Sequence, residues 1–106
     1  MIMKIAQVCP KYYPYIGGVE TVVKEISERL VTNGIQVDIL CENHNLNNDD
    51  STEIINGVVV KRFKTYQIIP GITYSNALRL YLKQNSNIYD LIHAHTYQQF
   101  PALYAA

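Results

Sequence analysis

The run from Met3 to Cys41 constrains this chain most. A largely apolar stretch, a proline- and glycine-containing loop, an amphipathic helical pattern and a second apolar stretch follow one another with short joins. Met3 to Cys9 ends at Pro10 and reads as a first strand covered on both faces. Lys11 to Gly18 holds Tyr12, Tyr13, Pro14, Tyr15 and the pair Gly17–Gly18, a composition that continues neither strand nor helix. From Val19, the apolar residues Val19, Val22, Val23, Ile26 and Leu30 recur at the spacing of one helical face, with Glu20, Lys24, Glu25, Glu28 and Arg29 between them. Glu20 and Lys24, and Glu25 and Arg29, are spaced four apart with the acid first, which supports the helix. Asn33–Gly34 supplies a left-handed stop, so the helix is expected to end near Thr32. Ile35 to Cys41 is then a second strand, and strand, helix, strand at this length makes a βαβ unit with a parallel pair and a right-handed crossover. The fold class is therefore α/β.

Beyond this unit the pattern is looser. Glu42 to Thr52 is a polar loop without periodicity. Ile54 to Phe63 contains Asn56–Gly57 ahead of Val58, Val59 and Val60, the signature of a two-residue hairpin turn feeding a β-branched strand. After Pro70–Gly71, Tyr74, Leu78, Tyr81 and Leu82 fall at helical spacing, with Arg79 and Lys83 toward the C-terminal end, which gives a second helix. Asp90 to His95 is a further short strand. Phe100, Leu103 and Tyr104, with Pro101 in the first turn, predict a third helix from about Gln98. Ending in Tyr104-Ala105-Ala106 without a cap, the chain reads as a cut through a longer protein.

Composition narrows the function classes. A length of 106 residues suits one domain with one core, spanning 1–106. Nine basic and nine acidic side chains cancel and are scattered, so no phosphate-neutralising stripe is available and nucleic acid is not expected as a partner. Cys9 and Cys41 end predicted strands and read as reduced, buried small hydrophobes. No apolar run approaches the roughly 20 residues of a membrane-spanning helix, and the N-terminus lacks a charged-then-apolar leader. The expected location is cytoplasmic, with the inner membrane surface as the alternative.

Two groups could carry chemistry. Gly17–Gly18 lies between the first strand and the first helix, where amides without intrahelical partners and the helix dipole favour an anion. Glycine lets a phosphate or a sugar approach the backbone closely. A turn that merely needs flexibility is the competing reading. Position favours the functional one, because open parallel sheets bind ligands at the carboxyl ends of their strands. The segment is not a dinucleotide fingerprint, for it has one glycine pair and too long a connection. His93 and His95, two apart on one strand, share a face, with Thr96 following at the strand's end. They are structural histidines, ligand-contacting or acid–base groups, or a metal pair; two imidazoles are too few for structural zinc, and no metal site is assigned.

Taken together, Pro14-Tyr15-Ile16-Gly17-Gly18-Val19-Glu20, the helix end with Asn33-Gly34-Ile35-Gln36-Val37, and Tyr89-Asp90-Leu91-Ile92-His93-Ala94-His95 resemble the N-terminal domain of the retaining glycosyltransferases known as glycosyltransferase family four, the group 1-like glycosyl transferases. The motifs occur in the family's order across most of the chain. The resemblance implies a Rossmann-like parallel sheet with flanking helices, the truncated N-terminal half of a GT-B enzyme. In such enzymes this half receives the acceptor, and a second domain grips the nucleotide-sugar. It further implies hexosyl transfer with retention, with no cofactor beyond the nucleotide-sugar donor and without an essential metal. Gly17 and Gly18 match the glycine loop that lies against the donor's diphosphate and sugar. Gly17, Gly18, His93, His95 and Thr96 are the substrate-binding candidates, and His95 is the one catalytic candidate.

The family's best-known catalytic histidine and its paired donor-holding glutamates lie in regions this sequence lacks, so the isolated chain is expected to be inactive. The acceptor is a sugar, a lipid or a protein, its pocket shaped by the loops Glu42 to Thr52 and Thr65 to Thr73. Alternative readings are a non-catalytic partner module that completes a cleft with a second chain, and an unrelated nucleotide-binding flavodoxin-like domain. With a strand order 3-2-1-4, Leu91 to His95 forms an exposed edge, and self-association through it is expected. Light scattering at high protein concentration should then detect homo-oligomers; a clean monomer contradicts the exposed-edge argument.

Overall fold

A computed structural model of the chain describes residues 3–9, 12, 18–43, 49–69 and 72–94. Strand β1 (Lys4–Cys9) leads to helix α1 (Gly18–Thr32), β2 (Gln36–Glu42), the hairpin β3 (Ser51–Ile55) and β4 (Val58–Phe63), the small hairpin β5 (Tyr66–Ile69) and β6 (Ile72–Tyr74), helix α2 (Asn76–Asn85), a 3₁₀ turn at Ser86–Ile88, and β7 (Leu91–Ala94). Five strands form one sheet in the order β3-β4-β2-β1-β7. β1 pairs in parallel with both β2 and β7, β2 in parallel with β4, and only β3 runs antiparallel. Leaving out the hairpin strand β3, this is the expected 3-2-1-4 order. It excludes the flavodoxin-like arrangement, in which the first strand lies between the second and the third.

Each helix covers one face. Cys9, Tyr12, Val37, Ile39, Cys41, Val58 and Val60 pack with Val23 of α1, while Ala6, Val8, Leu40 and Phe63 pack with Leu78 and Leu82 of α2 and with Tyr89. Residues of both clusters alternate along β1 and β2, as a sheet buried on both sides requires. Burial drives the Cys41 thiol up to about 12, so it stays protonated near neutral pH, and both cysteines are free thiols.

The helix stop is a Schellman motif. Gly34 takes φ +85°, its N–H donates to the Val31 carbonyl at 3.0 Å, and the Ile35 N–H donates to Leu30 at 3.0 Å. In the hairpin, Asn56 and Gly57 both have positive φ, 51° and 82°, the pattern of a type I′ turn. The turn is tied to α1, since Asn56 Nδ2 donates to Glu28 Oε2 at 3.1 Å. This bond and Lys24 hold the Glu28 carboxyl below its usual range.

Three expectations change. The apolar stripe of α1 is rotated: Val23 and Ser27 are buried, whereas Val22 and Ile26 are 51% and 39% exposed. Tyr74 belongs to β6 and not to the second helix, which starts after Ser75; the Ser75 hydroxyl accepts from the Leu78 N–H at 3.2 Å, a side-chain N-cap. The segment read as the loop Thr65 to Thr73 is mostly the β5–β6 hairpin. The expected third helix, and residues 44–48 of the polar loop, lie outside the described residues.

Among the described residues no helix is long and apolar enough to cross a membrane.

The two left-handed glycines separate conformational strain from crowding. A Cβ at Gly34 meets nothing within 4 Å, whereas one at Gly57 stands 2.8 Å from Val31 Cγ1. Gly34→Ala should cost about 1–2 kcal/mol for the left-handed backbone alone. Gly57→Ala should cost about 3 kcal/mol, because Val31 must also move. Urea unfolding midpoints check this; equal losses would show that the hairpin does not press on α1.

Candidate functional site

Parallel pairing brings the carboxyl ends of β1, β2, β4 and β7 to one rim of the sheet, where an open α/β sheet binds ligands. On the β1–β7 side, Gly18 is the first residue of α1, so its turn carries amides without intrahelical partners at the positive end of a 15-residue helix. His93 stands opposite Gln7 in the β1–β7 register. Ala6 and Val8 face α2 together with Ile92 and Ala94, so alternation turns Gln7 and His93 to the α1 side. Gln7 is buried and His93 is exposed. Gly18 and His93 thus serve the same side of the sheet. Gly17, His95 and Thr96 lie outside the described residues.

The β2–β4 side of the rim is locked by polar bonds. The Asn43 N–H donates to the Phe63 carbonyl at 2.8 Å and to Thr65 Oγ1 at 3.1 Å. The Thr65 hydroxyl donates to Phe63 O at 2.8 Å, and that of Ser75 donates to Lys64 O at 2.6 Å. Asn43 Nδ2 holds the Asp49 carbonyl at 3.1 Å, and the Lys64 N–H donates to Asp50 Oδ1 at 2.6 Å. These bonds gather the start of α2, the end of β4 and residues 49–50 around a cleft of about 430 Å³ lined by Asp49, Asp50, Lys64, Tyr66 and Asn76, with Ala77 and Leu80 as its apolar part. Lys64 Nζ is 3.5 Å from Asp49 Oδ1 and 5.8 Å from the centre of the Tyr66 ring.

Sequence reasoning marked both segments that meet here as acceptor-shaping loops without singling out these side chains. The adjacent acids Asp49 and Asp50, and Lys64-Thr65-Tyr66 directly after a β-branched strand, were the available signal. It also missed a buried chain at the other end of the sheet. Tyr89 Oη donates to Asp38 Oδ2 at 2.7 Å, and the Tyr81 and Tyr89 hydroxyls are 2.7 Å apart. Because Tyr89 has one proton to give, Tyr81 is the donor between the tyrosines. Desolvation, followed by the bonds to Tyr81 and Asp38, pushes the Tyr89 phenol well above its ordinary range. Lys4 Nζ lies 3.9 Å from Asp38 and 5.4 Å from the Tyr89 ring centre, which partly compensates the buried carboxylate. This chain stabilises the fold away from the rim.

Among the described residues no three His, Cys, Asp or Glu side chains gather as a metal site requires. The rim therefore offers a helix start suited to an anion on one side and a polar cleft with an aromatic wall on the other. No curated protein and no solved structure gives a significant match to the chain. The sequence model of Glycosyltransferase Family 4 matches residues 16–106, a span that takes in Gly17 and Gly18, both sides of the rim and His93. With a mostly parallel sheet in the order expected for it and a family match over most of its length, the chain belongs to Glycosyltransferase Family 4.

Proposed function

We propose that the chain is the acceptor-side, N-terminal domain of a nucleotide-sugar-dependent retaining glycosyltransferase of the GT-B type, transferring a hexose to an acceptor. The observation that carries this reading is the family match over residues 16–106. It is supported by the position of Gly18 at the N-terminus of α1, the helix that follows β1.

In this reading the first-turn amides of α1, with the Gly17–Gly18 corner, receive the diphosphate of the donor. Their fixed dipoles neutralise the charge that grows on the leaving group, so no metal is needed for that task. His93, His95 and Thr96 contact the substrates at the end of β7, with His95 the candidate for proton transfer. Grip on the nucleotide comes from a second domain facing this rim. The enzyme works in the cytoplasm or at the inner membrane surface, and β7 offers an edge for self-association.

Half a cleft binds weakly and does not turn over. Titration of the ¹⁵N-labelled chain with uridine diphosphate should shift the amides of Gly17, Gly18 and Val19, with a dissociation constant in the millimolar range, about 4 kcal/mol of binding. Gly18→Val should abolish those shifts by blocking backbone approach. Hydrolysis or transfer of nucleotide-sugar by the chain alone should stay at the buffer control. Shifts that avoid the first turn of α1 would contradict the proposed diphosphate site, and measurable turnover would contradict the division of labour.

A further inference from the structure

We infer that the cleft between the β2–β4 ends and the start of α2 binds a neutral sugar ring, so that the acceptor presents a hexose to this domain. The name acceptor rests on the proposed function; the binding site itself does not.

The cleft's size and chemistry carry the inference. Its volume of about 430 Å³ falls within the roughly 300–1,000 Å³ of small-ligand clefts. A sugar ring needs an apolar wall for its C–H face and fixed acceptors for its hydroxyls, and both are present. Tyr66 is 55% exposed and Leu80 is 37% exposed, beside Ala77 in the same cleft. Asp50 is held by the Lys64 backbone N–H at 2.6 Å, and a carboxylate so held keeps further lone pairs for hydroxyl donors. Asn76, oriented by a 3.1 Å bond from Arg79 to its Oδ1, supplies an amide at the first position of α2.

Charge decides against the alternatives. Asp49 and Asp50 outnumber the ammonium of Lys64 among the lining side chains, and the α2 N-terminus that borders the cleft is already capped by the Ser75 hydroxyl, so the cleft disfavours a phosphate or diphosphate. The anion and the sugar are therefore assigned to different sides of the rim. Two carboxylates fall short of a cation cage, in keeping with the absence of a gathered ligand set among the described residues. The apolar part, Ala77 and Leu80, is too small to hold an acyl chain.

The test is an ¹H–¹⁵N titration of the whole 106-residue chain with methyl α-glucoside and, separately, inorganic phosphate, each up to the roughly 100 mM that a millimolar site needs. The glucoside should shift the amides of Asp50, Lys64, Tyr66 and Asn76, and phosphate should leave them unmoved. Tyr66→Ala should weaken glucoside binding about fivefold, and Asp50→Asn about tenfold. Both positions are exposed, and unchanged spectra elsewhere report that the variants remain folded.

Glucoside shifts absent from the cleft, equal binding by both variants, or preferential binding of phosphate there would overturn the inference. If the cleft binds glucoside while uridine diphosphate leaves Gly18 unmoved, this site stands and the diphosphate reading falls. If uridine diphosphate moves Gly18 while glucoside leaves the cleft unmoved, the reverse holds.

Discussion

Everything in this molecule hangs on β1 being paired in parallel on both sides. Its partners β2 and β7 are distant in sequence, and the ends of the chain segments hold their registers. The Lys4 N–H donates to Asp90 Oδ2 at 2.7 Å, the Asp90 N–H returns a bond to the Lys4 carbonyl at 2.7 Å, and the Gln36 N–H donates to Met3 O at 3.0 Å. A slip of one residue would turn Ala6 and Val8 from the α2 side to the α1 side and expose the wrong face of every neighbouring strand. With the registers held, four strands end together, and the rim is a consequence of that alignment.

The rim has two unlike sides because different physical elements build them. Near β1 it is backbone: a glycine at the start of a long helix, whose amides and dipole act on charge regardless of side chains. Near β2 and β4 it is side chain: Asp50, Tyr66 and Asn76, kept in place by a set of short bonds among Asn43, Lys64, Thr65 and Ser75. In the proposed reading, an anionic donor and a neutral acceptor go to different parts of this rim. The start of α1 at one place and two carboxylates beside the capped start of α2 at the other give those parts of the rim different electrostatic character.

Local signals were legible in the sequence and long-range ones were not. The βαβ unit, the Asn33–Gly34 stop and the Asn56–Gly57 turn each depend on neighbouring residues and on backbone angles that few residue types adopt, and the structure has all of them. Tyr74 misled because helical spacing over four residues also fits the end of a short strand; the Ser75 cap was the better signal for where α2 begins. The α1 stripe was misplaced because Ser27, a polar residue, takes a fully buried position against the sheet while Val22 and Ile26 turn outward. The Asp38–Tyr89 bond joins residues 51 apart, and no periodicity encodes such a contact. Of the five substrate-binding candidates, Gly18 and His93 fall within the described residues and serve the same side of the sheet; the cleft at Asp50 and Tyr66 needed the fold to assemble it.

Native-state hydrogen exchange read residue by residue tests the dependence on β1 most directly. If β1, paired in parallel on both sides, holds the sheet together, the amides of Ile5 to Val8 should be among the slowest to exchange and should open only with global unfolding, after those of β3 and of the β5–β6 hairpin. Exchange of the β1 amides ahead of α1 or of the β3–β4 hairpin would mean that the sheet's stability lies elsewhere, and the rim would lose its common foundation.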